Sequence, residues 1–232
     1  MGCIEARPSN SEEFAIENAE LGLCFDKVNP LQVDLVLRKF SYNNKLNQGQ
    51  LERTSGILGF RICNYGLNLK ISDLWNKLRS RDGDINLEDV LIIGILLSKG
   101  KPEIKARLFF QIFDVGSQNI IEIDIIREKI EKIIDISLET LGRLVVTGQS
   151  IHSNEIKNRM YIEELKKAKR YCVDEVTGWF GENANEESWI NTICNYEKGA
   201  LLEARGWRNF LKRLADEKIN ANHIKEQKSG NQ

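Results

Sequence analysis

Two stretches of this chain share one layout, and this repeated layout limits the fold more than any other feature of the sequence. Each stretch has an apolar helical segment, a short loop rich in Gly, Asp and Asn with Ile near its end, and a second apolar segment. The first covers residues 74–96 and the second covers residues 106–130. Apolar residues recur in both at the spacing of a helix that buries one face. The layout therefore predicts helix–loop–helix units.

Helical periodicity continues over most of the chain. Pro30 opens an apolar helix, since a proline in the first turn lacks only an amide that would be unpaired there. The spacing predicts further helices over residues 51–61, 72–79 and 87–97, and the last of these is apolar on nearly every side, so we expect it to be buried. More helices are expected after residue 102, which makes the predicted fold all-α.

The sequence SKGKP at residues 98–102 is the clearest boundary, because Gly and Pro interrupt helices. We expect two lobes of paired helix–loop–helix units, one at residues 26–100 and one at residues 101–205. Residues 1–25 are expected to form an N-terminal tail. Residues 206–232 are expected to form a C-terminal helix with a frayed end, because the last residues are polar.

The loops follow the plan of an EF-hand, a calcium-binding loop of twelve residues between two helices. Such a loop supplies oxygen ligands from positions 1, 3, 5, 7, 9 and 12 and has a turn glycine at position 6. An apolar residue at position 8 pairs with the neighbouring loop. Placing Ile85 and Ile121 at position 8 defines loops over residues 78–89 and 114–125. Short β-bridges at these isoleucines are the only strands that we expect.

The first of these loops keeps few of the required oxygens. Asp82, Asp84 and Asp89 fall at positions 5, 7 and 12, but positions 1 and 3 hold Leu78 and Ser80. Acidic residues also favour helix N-termini, so the three carboxylates have an alternative role at the start of the following helix.

The second loop is incomplete in a different way. Asp114, Gln118 and Glu122 fall at positions 1, 5 and 9, while Ile125 replaces the bidentate Glu of position 12. Asn119 stands at the turn position, where Asn can adopt a left-handed conformation. Asp114 has an alternative role as a turn residue. Calcium takes six to eight oxygens, so we predict that calcium binds weakly or not at all.

Residues 85–124 resemble the middle of calaxin and of the neuronal calcium sensors. In these proteins the second hand leads into the third through a short S-x-G turn and an E-K helix. Residues 43–59 are similar to the degenerate first hand of the family. Residues 187–207 are similar to the fourth hand's exit helix and the following segment of calaxin. The resemblance implies a calcium-sensor-like adaptor that binds an amphipathic helix of a target protein.

Large apolar residues on two predicted helices exceed what one buried stripe needs. The residues concerned are Phe109, Phe110, Phe113, Trp207 and Phe210. In calcium sensors the spare face lines a groove for the target, and the helix after the fourth hand can occupy it. We therefore predict that these residues line a partner groove. The alternative is that all are core residues, because periodicity alone does not distinguish a groove from a core.

The N-terminus carries two candidate acylation residues. N-myristoylation requires Gly2, and the adjacent Cys3 suits palmitoylation, although the motif asks for Ser or Thr where the chain has Ala6. Resemblance to calaxin implies a cytoskeletal or axonemal partner in the cilium, such as a dynein-docking complex. Resemblance to neuronal calcium sensors implies an acylated, membrane-associated regulator. A purely structural subunit that does not respond to calcium is the third alternative.

Composition argues against several other classes. The 33 basic and 34 acidic residues create no field that would favour nucleic acid. Five widely spaced cysteines without a CxxC motif indicate neither a disulfide framework nor a zinc site, which favours a cytoplasmic setting. The two histidines, His152 and His223, lack the neighbours of a catalytic triad or metal site, so we expect no enzyme. The longest apolar run, residues 90–97, is short of the roughly 20 residues of a membrane span.

Overall fold

A computed structural model describes residues 11–63, 69–146 and 153–229. These residues are predominantly helical, which confirms the all-α class. Gly2 and Cys3, the candidate acylation residues, lie outside the described residues. The α-helices are α1 (Ser11–Leu21), α2 (Pro30–Phe40), α3 (Gln48–Leu58), α4 (Leu69–Lys77), α5 (Leu87–Leu97), α6 (Pro102–Phe113), α7 (Ile123–Asp135), α8 (Ser153–Thr177), α9 (Glu186–Asn195) and α10 (Ala204–Ser229).

Short strands and single helical turns complete the described secondary structure. The strands are β1 (Lys45–Leu46), β2 (Ile85–Asn86), β3 (Ile120–Glu122) and β4 (Asn183–Asn185). A π-helical turn (Ile136–Thr140) and a 3-10 turn (Gly142–Val145) follow α7. Further 3-10 turns are Phe25–Lys27 before α2, and Tyr196–Lys198 and Ala200–Leu202 between α9 and α10.

Eight of these helices form four helix–loop–helix units, α2–α3, α4–α5, α6–α7 and α8–α9, each with a strand just before its second helix. β1 pairs antiparallel with β2, and Leu46 lies opposite Ile85. β3 pairs antiparallel with β4, and Ile121 lies opposite Ala184. Ile85 and Ile121 therefore lie in short strands, as the sequence predicts, and the strands join the units two by two.

The second helix of each unit begins at the same point relative to its strand. It starts two residues after the apolar strand residue that pairs with the neighbouring strand, which is Leu46, Ile85, Ile121 or Ala184. Asn47, Asn86 and Asn185 each accept a backbone N–H from the first helical turn at 2.8 to 2.9 Å. Glu122 occupies the corresponding position before α7 without a side-chain cap bond. Asn is among the best N-cap residues, and losing such a cap costs about 1 kcal/mol. The strand residue and the Asn cap thus form a short signal that recurs in three of the four units.

α5 is the most buried helix, as its sequence predicts, and every residue from Val90 to Leu96 is buried. Gly94 permits the close approach of α2 and of the turn before it. A Cβ atom at Gly94 would lie 2.6 Å from Val33 Cγ1 and 3.1 Å from Phe25 Cε1. The apolar core extends without interruption from α1 to α10 through the described residues, including both sides of Gly100.

One prediction about the chain ends is wrong. Residues 11–21, expected to be part of a tail, form α1, and its Ile16 is fully buried. The apolar pattern does not reveal this helix, because two of its three buried residues are Glu13 and Glu20. At the other end, the expected C-terminal helix is present as α10, which extends to Ser229, and the fraying of its end stays a prediction.

Two internal helices begin three residues earlier than the apolar spacing predicts. α3 starts at Gln48 because Asn47 and Gln50 form a capping box, in which each side chain accepts a backbone N–H near the helix start. It ends at Leu58 because Gly59, with φ of 78°, adopts the left-handed conformation. α4 likewise starts at Leu69, so Ser72 lies inside the helix. Within the described ranges, no helix is both long enough and apolar enough to cross a membrane.

Candidate calcium loops and partner groove

The loop between α4 and α5 has the turn that its sequence predicts. Gly83, at position 6, has φ of 85°, a conformation that favours glycine. Ile85, at position 8, lies in β2, and Asn86, at position 9, caps α5. The backbone therefore agrees with the predicted positions, and the ligands can be judged against it.

The acidic side chains of this loop face cations of the protein itself. The Asp82 carboxylate lies 3.6 Å from Lys45 Nζ on β1, although the Asp82 side chain is 76% exposed. The Asp89 carboxylate, predicted for position 12, lies 2.8 Å from Lys132 Nζ on α7. Lys132 also lies 3.3 Å from the adjacent Glu88. Two candidate ligands are therefore held in ion pairs, Asp82 with a lysine of β1 and Asp89 with a lysine of α7.

Backbone oxygens of the same loop are also engaged. An EF-hand loop supplies a backbone carbonyl at position 7. Here that carbonyl, on Asp84, accepts hydrogen bonds from Ser80 N at 2.7 Å and Ser80 Oγ at 3.0 Å. Arg79 Nη1 donates to the neighbouring Gly83 carbonyl at 2.7 Å, and Arg79 Nη2 donates to the Gln48 side chain on α3. A guanidinium group therefore lies at one of the loop's own carbonyls.

The loop between α6 and α7 keeps the carboxylate of position 1. Asp114 accepts hydrogen bonds from Gln118 N at 2.9 Å and Asn119 N at 2.8 Å, which is the role of a turn residue. Asn119 has φ of 56°, the left-handed conformation expected at position 6. Gln118 and Glu122 are exposed, and Ile125 stands 38% exposed where a bidentate Glu would be needed.

The loops of the outer two units are shorter. Residues 41–44 separate α2 from β1, and residues 178–182 separate α8 from β4, compared with residues 78–84 between α4 and β2. Within the described parts of the chain, no three His, Cys, Asp or Glu side chains come together to hold a metal ion. The α4–α5 loop fits a calcium ion poorly, because the Asp82 and Asp89 carboxylates and the Asp84 carbonyl already pair with protein donors. Calcium affinity itself remains a prediction.

The residues predicted to line a partner groove are all buried within the chain in this structure, so a groove that accepts a target stays a prediction. They are Phe109, Phe110, Phe113, Trp207 and Phe210, each at most 3% exposed. The periodicity located the apolar faces correctly, but it could not show that the chain covers them itself.

Trp207 and Phe210 lie on α10, which packs on α8, on the π turn and on residues 200–202, whereas α6, which carries the three phenylalanines, packs mainly on α9 and α2. The Phe210 ring lies 5.9 Å from the Trp179 ring and 5.1 Å from the Tyr196 ring, measured between centroids. The buried apolar residues Trp207, Phe210, Leu211 and Leu214 follow the spacing i, i+3, i+4 and i+7. The first half of α10 therefore lies on the protein as an amphipathic helix lies on its target.

Two of the three buried cations among the described residues stand out, and the sequence analysis missed both. Arg208 on α10 is completely buried, and its guanidinium pairs with Glu13 and Glu20 on α1. Lys105 on α6 is 3% exposed, and its Nζ donates to the carbonyls of Leu96 at 3.3 Å and Leu202 at 3.2 Å. Burial lowers the pKa of Lys105 to about 8. The available signal was a charged residue inside each helix's apolar row.

No family model, no curated protein and no solved structure matches this chain. The resemblance to calaxin and to the neuronal calcium sensors therefore depends on the residues and the loop positions described above.

Proposed function

We propose that this protein is a helix-binding adaptor of EF-hand-like architecture that works without calcium. The architecture is supported by four helix–loop–helix units that are joined two by two through β1–β2 and β3–β4. It is also supported by the left-handed residues at position 6 of the two middle loops, Gly83 and Asn119. An apolar residue at position 8 follows in both loops, and in the first of them Asn86 at position 9 caps the next helix.

Independence from calcium is supported above all by the Asp84 carbonyl, which accepts two hydrogen bonds from Ser80. A calcium ion in this loop would have to displace both. It would also compete with Lys45 for Asp82 and with Lys132 for Asp89. Because calcium takes six to eight oxygens, it would gain little from a loop that offers so few in exchange.

The adaptor role is supported by the way α10 buries its apolar row against α8, the π turn and residues 200–202. A target helix with large apolar residues at i, i+3, i+4 and i+7 has the chemistry to replace α10, since α10 uses that spacing itself. Resemblance to calaxin directs the search for this helix to axonemal and cytoskeletal proteins. Resemblance to neuronal calcium sensors directs it to membrane-associated proteins, and mass spectrometry of Gly2 and Cys3 would distinguish the two settings.

The test is competition between α10 and a labelled peptide that copies residues 204–217. Leu214→Ala weakens the attachment of α10 near the end of its buried row, where Leu214 is 6% exposed. The full-length Leu214→Ala variant should therefore bind the peptide more tightly than the unchanged protein. A peptide with Asp in place of Phe210 and Leu211 is the matched control and should not bind. Affinities measured by fluorescence anisotropy should be equal in calcium and in chelator.

A permanently closed structural subunit is the second candidate, and the burial of all five groove residues favours it. In that case neither protein would bind the peptide, although copurification with a partner would still succeed. A peptide affinity that rises with calcium would contradict both candidates and would favour a calcium-dependent sensor.

A further inference from the structure

Arg208 is the most deeply engaged charged residue of the described chain, and all three of its nitrogens donate hydrogen bonds. Nε donates to the two Glu13 carboxylate oxygens at 2.9 and 3.1 Å. Nη1 donates to Glu20 Oε1 at 2.7 Å and to the Ser137 carbonyl at 2.9 Å. Nη2 lies 2.7 Å from Glu13 Oε1 and 3.2 Å from Glu20 Oε2. Glu13 Oε2 also accepts a hydrogen bond from Tyr161 at 3.0 Å. One side chain of α10 thus connects α1 with the π turn.

The cluster contains one guanidinium and two carboxylates, so its formal charge is negative when both carboxylates are ionised. Burial raises the pKa of Glu20, although the positive charge of Arg208 opposes that shift. Burial and the neighbouring Glu13 likewise raise the pKa of the Tyr161 hydroxyl, which therefore stays a hydrogen-bond donor. Without Arg208, two buried carboxylates would face each other without a cation, which is strongly unfavourable.

Apolar contacts contribute far less to the attachment of α1 than to that of α10. Ile16 is the only apolar residue among the three buried residues of α1, and Phe14 and Leu21 are more than half exposed. α10, by contrast, buries a row of four large apolar residues. An element with few buried apolar contacts is the kind that opens locally while the rest of a protein stays folded. The ion cluster is therefore the main attachment of α1.

We propose that α1 is a latch. Through Arg208 it holds α10 against α8 and the π turn, and α1 must undock before α10 can leave. With α1 docked, Arg208 is satisfied only in the closed position of α10, because its carboxylate partners lie on α1. Once α1 undocks, those partners leave, and the buried guanidinium then favours release of α10. The latch rests on one part of the proposed function, namely that α10 occupies the surface to which the target helix binds.

The test is hydrogen exchange, measured by mass spectrometry on the full-length protein without any target. Glu13→Gln removes one charge of the cluster but keeps an acceptor oxygen, so the variant should still fold. Amides of α1 and of residues 204–214 should exchange faster together, by about tenfold or more, while those of α5 stay unchanged. Glu17→Gln is the matched control. It removes the 2.7 Å pair of Glu17 with Arg205, which joins the same two helices but leaves Arg205 53% exposed.

Arg208→Met should have the larger effect and provides a second measurement if it folds. Faster exchange in α1 alone would overturn the latch, because α1 would then leave without loosening α10. Faster exchange throughout α5 would also overturn it, since the cluster would then belong to a core that unfolds as a whole. An unchanged pattern in both variants would do the same. None of these outcomes depends on peptide binding, so the latch and the adaptor role can fail separately.

Discussion

In the loop of the α4–α5 unit, protein cations and hydroxyl or amide donors occupy the oxygens, whereas in the loop of the α6–α7 unit Asp114 binds only the backbone of its own turn. In the first loop, Asp82 pairs with Lys45 and Asp89 pairs with Lys132. In the second, the main deficiency is Ile125 at position 12. The two loops should therefore respond differently to substitutions that aim to restore calcium binding. The ligand missing at position 12 of the second loop can be restored by one substitution, but the ion pairs and hydrogen bonds of the first loop cannot all be removed by one.

The largest expected effect concerns the α6–α7 unit as a whole. Phe110→Asp should lower the melting temperature steeply or prevent folding, because Phe110 is 3% exposed and an unpaired buried charge costs several kcal/mol, about the total reserve of a domain. Circular dichroism melting measures this, with the exposed neighbour Gln111→Asp as control. A folded Phe110→Asp variant with an unchanged melting temperature would show that this face is open in solution.

A smaller effect is expected when the guanidinium is removed from the other loop. Arg79→Ala should reduce the free energy of unfolding by about 1 kcal/mol, since it removes partly exposed, charged hydrogen bonds to Gly83 and Gln48. Calcium should still not stabilise the variant, because the Asp84 carbonyl keeps its two Ser80 donors. Urea unfolding with calcium and with chelator checks both statements, and Arg81→Ala is the exposed control. Stabilisation of Arg79→Ala by calcium would mean that Arg79 alone excludes the ion.

A pH-dependent effect is expected where the two units meet, at Lys105. Its folded pKa of about 8 lies below the unfolded value, so the unfolded chain binds more protons between these values and stability rises with pH in that window. Between pH 7 and 9 the protein should gain about 1 kcal/mol relative to Lys105→Met, which cannot titrate there. Urea unfolding at several pH values measures the difference. Parallel profiles would show that Lys105 titrates normally.

The smallest effect is expected from repair of the α6–α7 loop. Ile125→Glu returns the position 12 ligand beside Asp114, Gln118 and Glu122, whereas Gly116 still offers no side-chain oxygen at position 3. Isothermal titration calorimetry should therefore detect only weak calcium binding, with a dissociation constant of about 1 mM. Ile125→Gln is the uncharged control. If Ile125→Glu gave no heat of binding at all, the assigned loop positions would be in doubt.

Local signals in the sequence predicted much of the fold. Pro30 marks the start of α2, and the spacing around Ile85 and Ile121 places two of the strands. What the sequence could not show depends on contacts between distant elements. Nothing near Asp82 or Asp89 indicates that Lys45 and Lys132 will reach them. α1 was missed for the same physical reason, since its buried face is mostly carboxylate and becomes favourable only beside Arg208.

The Asn cap that recurs in three of the four units has a consequence for how the chain folds. Asn47 and Asn185 choose the first turn of their helices through bonds that span three residues, and such contacts form with little loss of chain entropy. These cap bonds can therefore form in the nascent chain before any strand has paired with another. The sequence of such a loop can change during evolution, since the helix that follows begins at the same residue whether or not an ion is bound.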